Sequence, residues 1–283
     1  STPANVIILA AGRRGVTDPV AASQNKSHKC LVEIDGRIML ERVIDSLIDC
    51  DGIGRIFISI EDEAPLRTVP RLARMLDEGA IIQIPSEGNL ADSVIAAARR
   101  VEEKMGPDAA WPLVITTGDN ALQTPEMVTQ FLNAALGTGA DVAIAFTRDD
   151  VVLRDHPDAG LAFHRLKDGG FSANNLYLLR SPATLDAVGV FKSGGQFGKR
   201  HWRILKSFGL LPFVLYKLKA TTGENLIRRI GRNLGISTEM ILSPYADGPI
   251  DVDNLSSFDL CDRILARRRI SGNEDQARTA HRS

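Results

Sequence analysis

Alternation is the feature that most constrains what this chain can fold into. Up to about Phe146, short apolar runs of strand length take turns with amphipathic stretches of helix length. The apolar runs fall at 6–11, 56–60, 80–84, 113–116 and 142–146. Continuous Val- and Ile-rich runs belong to parallel strands buried on both faces. Between them, Leu40, Val43, Ile44, Leu47 and Ile48 line one helical face. Leu66, Val69, Leu72, Ala73 and Leu76 repeat that stripe, as do Leu90, Val94, Ala97, Ala98, Val101 and Met105. Thr124-Pro125-Glu126 reads as an N-cap followed by proline in the first helical turn. The pattern predicts an α/β fold with a doubly wound, mostly parallel sheet and helices on both faces.

Beyond Phe146 the alternation breaks. The charged stretch 148–159 contains Pro157 and reads as a loop. Stretches 161–166 and 176–179 read as strands around a Gly169-Gly170 turn. A helical insertion is expected at about 182–235, with a break at Pro212, then a strand at 238–242. Asn254 or Ser256 opens a last helix carrying Phe258, Cys261, Ile264 and Leu265. No repeat or low-complexity linker divides the chain. The expected organisation is one domain over 1–266, with a nucleotide-binding half (1–146) and an acceptor-binding half (147–266). A flexible, basic tail over 267–283 follows.

Charge narrows the partners. Lys and Arg total 34 against 35 Asp and Glu, a net charge of -1. That balance argues against a nucleic-acid binder. The three cysteines (Cys30, Cys50 and Cys261) form no C-x-x-C pair, which argues against a zinc ribbon or a disulfide framework. With no bilayer-length apolar stretch and no leader pattern at the first residues, the chain is expected in the reducing cytoplasm.

Three motifs carry chemistry. The first strand runs into Leu9-Ala10-Ala11-Gly12 and a loop bearing Arg13 and Arg14, with Lys26 and Lys29 following. Open α/β sheets bind ligands beyond the carboxyl ends of their strands, and small residues let backbone approach a ligand closely. The second motif is Thr117-Gly118-Asp119-Asn120, at the end of another apolar run. There Asp119 is placed to hold Mg²⁺, which takes oxygen ligands; good turn chemistry explains the same residues equally well. The third is Ile250-Asp251-Val252-Asp253-Asn254. In an extended segment its two carboxylates face one side, suiting one metal, although Asp253 also reads as a helix cap.

With these motifs in this order, the chain resembles the MobA-like nucleotidyltransferase (NTP transferase) family. Residues 6–12 match its strand and L-A-A-G turn, and 29–40 look like its P-K-x-L segment. Gly118-Asp119 and Asp251-Val252-Asp253 look like its metal-carboxylate sites. The match is good over 6–146 and thin from 148 to 243. Two departures stand out: the loop after Gly12 is long and rearranged, and His28 stands where the family has proline.

The resemblance implies a nucleotide-diphospho-sugar-transferase (GT-A-like) fold and an enzyme. A phosphorylated small molecule, sugar or lipid-headgroup precursor would attack the α-phosphate of a nucleoside triphosphate, CTP or GTP in preference, releasing pyrophosphate. Lys29, Arg13 and Asp119 would be catalytic, and Asp119, Asp251 and Asp253 would hold Mg²⁺. Leu9, Ala10, Ala11, Gly12, Arg14 and Gly118 would contact the nucleotide. Apart from the resemblance, Lys199 in the basic cluster after a glycine-rich loop reads either as a clamp on the acceptor's phosphate or as a solvated helix start. Asn89 and Ser93 would read the base, although helix capping explains Asn89 at least as well, and Asn174 would touch the acceptor, although a simple turn explains the Asn174-Asn175 pair almost as well. A glycosyltransferase using a nucleotide sugar and a non-catalytic nucleotide-binding module are the alternatives. The apolar and basic residues of 202–218 read as a buried helix pair or as a peripheral membrane contact.

Overall fold

In the computed structural model, residues 2–12, 17–88, 90–191 and 210–280 are described. Their strands are β1 (Ala4–Leu9), β2 (Glu33–Ile34), β3 (Arg37–Ile38), β4 (Ile53–Ser59), β5 (Ile81–Ile84) and β6 (Leu113–Thr117). Then come β7 (Val142–Arg148), β8 (His164–Leu166), β9 (Gly169–Leu179) and β10 (Thr238–Leu242). The main sheet runs β10-β7-β9-β6-β1-β4-β5, with β8 paired to β9. β1, β4, β5 and β6 are mutually parallel, as are β7 and β10, and β9 runs antiparallel between β6 and β7. This is the mostly parallel sheet that the alternation predicts.

Successive strand residues feed opposite cores, which is why these strands read as continuous apolar runs. Ile8, Ile56, Ile58 and Val114 pack with Leu40, Val43, Leu72, Val128 and Phe131 from helices on one face. Ile7, Phe57, Leu113 and Ile115 pack with Val94, Ala97, Val101 and Leu185 on the other. A third cluster joins Val20, Val32, Leu122, Ile250, Val252, Cys261 and Ile264. It clamps loop segments from both halves beside the carboxyl ends of the central strands.

Several expectations need correction. The stripe at 66–76 is two helices, Ala64–Arg67 and Pro70–Asp77, because Pro70 lacks the N–H a continuous helix needs. The stretch expected as a loop at 148–159 contains the helix Asp149–Asp155. Acidic residues in its first turn favour it, and Pro157 lies beyond its end. Pro212 sits in the first turn of the helix Leu210–Lys217, where a missing N–H costs little, and the residues ahead of it in the expected 202–218 stretch, 202–209, lie outside the described residues. The last helix, Leu255–Ala280, continues into the stretch 267–283 expected to fray, whose last three residues lie outside the described residues. Arg268 reaches the Leu122 carbonyl at 3.0 Å and the Asp247 carboxylate, and Arg269 reaches Asp35 at 3.2 Å. Asn254 opens this helix, accepting the Ser257 N–H at 3.0 Å.

Candidate active site

The carboxyl ends of β1, β4 and β6 lie level, with Leu9 in register with both Ser59 and Thr117. The Ala10 N–H donates to the Ser59 carbonyl at 2.9 Å, and the Gly118 N–H to the Leu9 carbonyl at 2.9 Å. Gly118 is needed for close approach. A Cβ there would lie 3.1 Å from the Cys30 Cβ and 3.4 Å from the Ala10 Cβ. The short 3-10 turn Lys29–Leu31, anchored by buried Cys30 and Leu31, therefore packs directly beside Asp119. Lys29 Nζ donates to Asp119 Oδ2 at 2.7 Å across 90 residues of sequence.

The third motif docks on the same spot. The Val252 N–H donates to the Asp119 carbonyl at 3.1 Å, and the Val252 side chain is fully buried. Asp251 and Asp253 flank it, and both act electrostatically on Lys29. Asp251 is mostly buried and accepts from Asn175 Nδ2 at 2.8 Å, while Asp253 is exposed.

The electrostatics are lopsided. Burial, then the neighbouring Asp119 charge, pushes the Asp251 carboxyl up to about 7, against the pull of Lys29. Burial pulls the Lys29 ammonium down, but Asp119, Asp251 and Asp253 together leave it above its ordinary value. One lysine thus faces three carboxylates. Asp119 Oδ1 is buried with no hydrogen-bond partner. A buried, unpartnered carboxylate oxygen carries a desolvation cost that a cation would relieve. Among the described residues, no three His, Cys, Asp or Glu side chains form a self-sufficient metal cage. Mg²⁺ does not require one, since it usually takes one or two carboxylates plus substrate phosphates and water. The donor set fits such an ion.

A second contact sits at the glycine turn. The Gly12 N–H donates to Glu61 Oε1 at 2.9 Å, and His28 Nε2 lies 2.8 Å from Glu61 Oε2. A Cβ at Gly12 would come within 2.8 Å of His28 Cδ2. The residue that departs from the family's proline therefore packs on the turn it would otherwise only precede. Burial pushes the Glu61 carboxyl up, but bonds from its own N–H, His28 and Gly12 hold it below its usual range.

The structure thus brings together Leu9, Ala10, Ala11, Gly12, Lys29, Gly118, Asp119, Asp251 and Asp253. Arg13, Arg14, Asn89 and Lys199 lie outside the described residues. Ser93 is buried at the entry of the helix Leu90–Met105, exchanging 3.0 Å bonds with the N–H and carbonyl of Glu87. Asn174 lies inside β9, not ahead of a strand, and is buried. It accepts from Thr147 Oγ1 at 3.0 Å, and its carbonyl accepts from Asn120 at 3.1 Å. Sequence reasoning missed Asn175, Glu61 and His28 as site neighbours. The Asn-Asn pair and the displaced proline were the available signals.

A Gly turn after the first strand, a lysine paired with a strand-end aspartate and a second acidic segment docked on that aspartate thus meet at one edge of the sheet. Residues 6–205 match the family model of the MobA-like NTP transferase domain. The chain belongs to that family and is a nucleotidyltransferase. No curated protein matches the sequence significantly. Solved structures share the fold. A hypothetical transferase from Thermus thermophilus superposes with a TM-score of 0.72 at 23% identity, covering 90% of this chain and 99% of that one. A CMP:2-keto-3-deoxy-manno-octonic acid synthetase complexed with CTP gives 0.53 at 15% identity, covering 94% and 99%. A 4-diphosphocytidyl-2C-methyl-D-erythritol synthase from Anaerococcus prevotii gives 0.58 at 10% identity, also covering 94% and 99%.

Proposed function

We propose that this protein transfers a nucleoside monophosphate from a nucleoside triphosphate to a phosphorylated small-molecule, sugar or lipid-headgroup acceptor. An acceptor phosphate oxygen attacks the α-phosphorus, the bond to the bridging oxygen breaks, and pyrophosphate leaves with the electron pair. CTP and GTP are the favoured donors. The names of two structural neighbours, one a CMP-transferring synthetase bound to CTP and one a diphosphocytidyl synthase, favour CTP. The observation that carries the reading is the Lys29–Asp119–Asp251 cluster, with its unpartnered Asp119 oxygen, at the ends of β1 and β6.

Displacement at phosphorus asks for positioning and charge neutralisation rather than a covalent intermediate. Lys29 supplies a point charge to the triphosphate, and Arg13 and Arg14, next in sequence after Gly12, would add to it. The Ala11-Gly12 turn offers backbone N–H groups to phosphate oxygens. The Gly12 N–H is held by Glu61, so a phosphate taking that N–H displaces a carboxylate. Asp119 and Asp251, with Asp253 at the rim, are the residues that would hold Mg²⁺. Bound there, Mg²⁺ would neutralise phosphate charge and orient the triphosphate. In this reading Asn89 and Ser93 would read the base, and Asn174 and Lys199 would meet the acceptor.

We place the enzyme in the cytoplasm, where its three free, buried cysteines stay reduced. Its working unit is one domain over 1–266. Among the described residues no helix is long and apolar enough to cross a membrane. Peripheral contact through 202–218 rests on exposed Leu211, Val214 and Leu218, with exposed Lys219 just beyond; failure to sediment with anionic liposomes at low salt removes it. Residues 202–209 of that segment lie outside the described residues.

Calorimetric titration with the four nucleoside triphosphates, with and without Mg²⁺, tests the main reading. Metal-dependent binding of one triphosphate, followed by pyrophosphate release with a phosphorylated acceptor, supports it. Absence of binding by all four overturns it.

A further inference from the structure

β9 departs from a regular strand at one place. On β7, Ile144 faces Tyr177 and Phe146 faces Ala173. Two steps along β7 therefore correspond to four along β9, and β9 bulges over Asn174, Asn175 and Leu176. The ladder between β9 and β6 ends at Ile115, next to the bulge. Bulges re-aim side chains and are enriched beside active sites. Here the two asparagines part company. Asn174 turns to Thr147 and crowds Gly248, where a Cβ would lie 2.4 Å from Asn174 Nδ2. Asn175 donates to Asp251 Oδ2 at 2.8 Å.

Asn175 has φ +50, in the left-handed region. Among the described residues it is the one non-glycine residue with such a φ inside a strand. Glycine would meet that backbone demand without cost, and a side-chain donor alone would not require the left-handed conformation. Asparagine tolerates the conformation and keeps an amide. The residue satisfies both requirements at the one point where the chain crosses Asp251.

We propose that Asn175 is a positioning residue that orients the Asp251 carboxylate toward Asp119 and Lys29 for the metal and triphosphate. The inference rests on the assignment of Asp251 above. Residues that hold a ligating carboxylate by hydrogen bonds typically govern metal affinity by about 10–100-fold. Asn175 touches neither reacting atom in this arrangement; it acts through Asp251.

The test compares wild type with Asn175→Gly, Asn175→Ala and Asp251→Ala. Asn175→Gly keeps the backbone conformation and removes only the amide, so it is expected to fold with a near-native Tm. Asn175→Ala adds backbone strain and is expected to melt lower, which separates fold from function. Mn²⁺ binding, alone and with CTP, is read by electron paramagnetic resonance, and pyrophosphate release is titrated with Mg²⁺. Asn175→Gly is expected to need about 10–100-fold more metal, with kcat at saturating metal falling less than metal affinity. Mn²⁺ affinity equal to wild type in Asn175→Gly, alongside a loss in Asp251→Ala, overturns the role of Asn175 alone. Unchanged metal binding and activity in Asp251→Ala overturns the assignment of the site and this inference with it.

Discussion

Two partly buried charged clusters lie toward the sheet's carboxyl edge, and they differ in one respect. In the first, Asp247 is fully engaged: His156 Nε2 meets one oxygen and Arg268 the other, while Arg268 also donates to the Leu122 carbonyl. In the second, Lys29 meets Asp119 Oδ2, but Asp119 Oδ1 has no partner and Asp251 is pushed up to about 7. Both join segments distant in sequence. Only the second is left electrostatically incomplete. A complete network holds a fold together, whereas an incomplete one holds a place for a ligand.

Substitution should separate the two. Asp119→Ala is expected to lower kcat by about 10³-fold, on the scale of losing an electrostatic stabiliser of the transition state, while the protein stays folded. A pyrophosphate-release assay with parallel circular dichroism reads this, and a loss below tenfold would place the two clusters in one class. Asp247→Ala should do the reverse. It leaves His156 and Arg268 without their carboxylate and is expected to cost about 2–3 kcal/mol of stability. Urea unfolding measures this, with activity per folded molecule near wild type.

The pH response sharpens the contrast. Between the ordinary aspartate value near 4 and about 7, folded Asp251 keeps a proton that the unfolded chain has lost. The metal-free protein should therefore lose stability as pH rises through that window and level off above it. Asp251→Asn should remove this fall and melt a few degrees higher than wild type at pH 8, by scanning calorimetry. Equal pH slopes for the two proteins would show that Asp251 is not strained by its neighbours.

The smallest effect is expected at the glycine turn. Glu61→Gln keeps the shape of the side chain and removes a negative charge from the Gly12 N–H. KM for the triphosphate should fall by about 2–5-fold with kcat unchanged, a modest effect because Glu61 is half exposed. An increase in KM would mean that Glu61 supports the turn instead of competing for it.

Much of this was legible in the residues. The apolar runs located β1, β4, β5, β6 and β7 within a few residues, because parallel strands buried on both faces leave an unbroken hydrophobic record. Asp119 was legible as a candidate through its position after such a run, Lys29 through the basic loop that follows β1, and Asp251 through its one-residue spacing from Asp253. The helix Asp149–Asp155 was obscured by charge, since its polar residues outnumber its buried Val152. The choice between Asn174 and Asn175 was not legible at all. Strand alternation assigns neighbours to opposite faces, but a bulge breaks that count, and neither residue's own chemistry reveals it.

Sequence alone determined the sheet class, the helical faces and the residue types available at the strand ends, because hydrophobic periodicity and glycine are local properties of the chain. Tertiary structure decided which charges meet. Lys29 finds Asp119 because Gly118 lets two backbones close together, and Asp251 joins them because buried Val252 docks beneath. The Lys29–Asp119 contact spans 90 residues, and the contact that docks Val252 on Asp119 joins segments still farther apart; only packing of the whole core fixes distances across such separations.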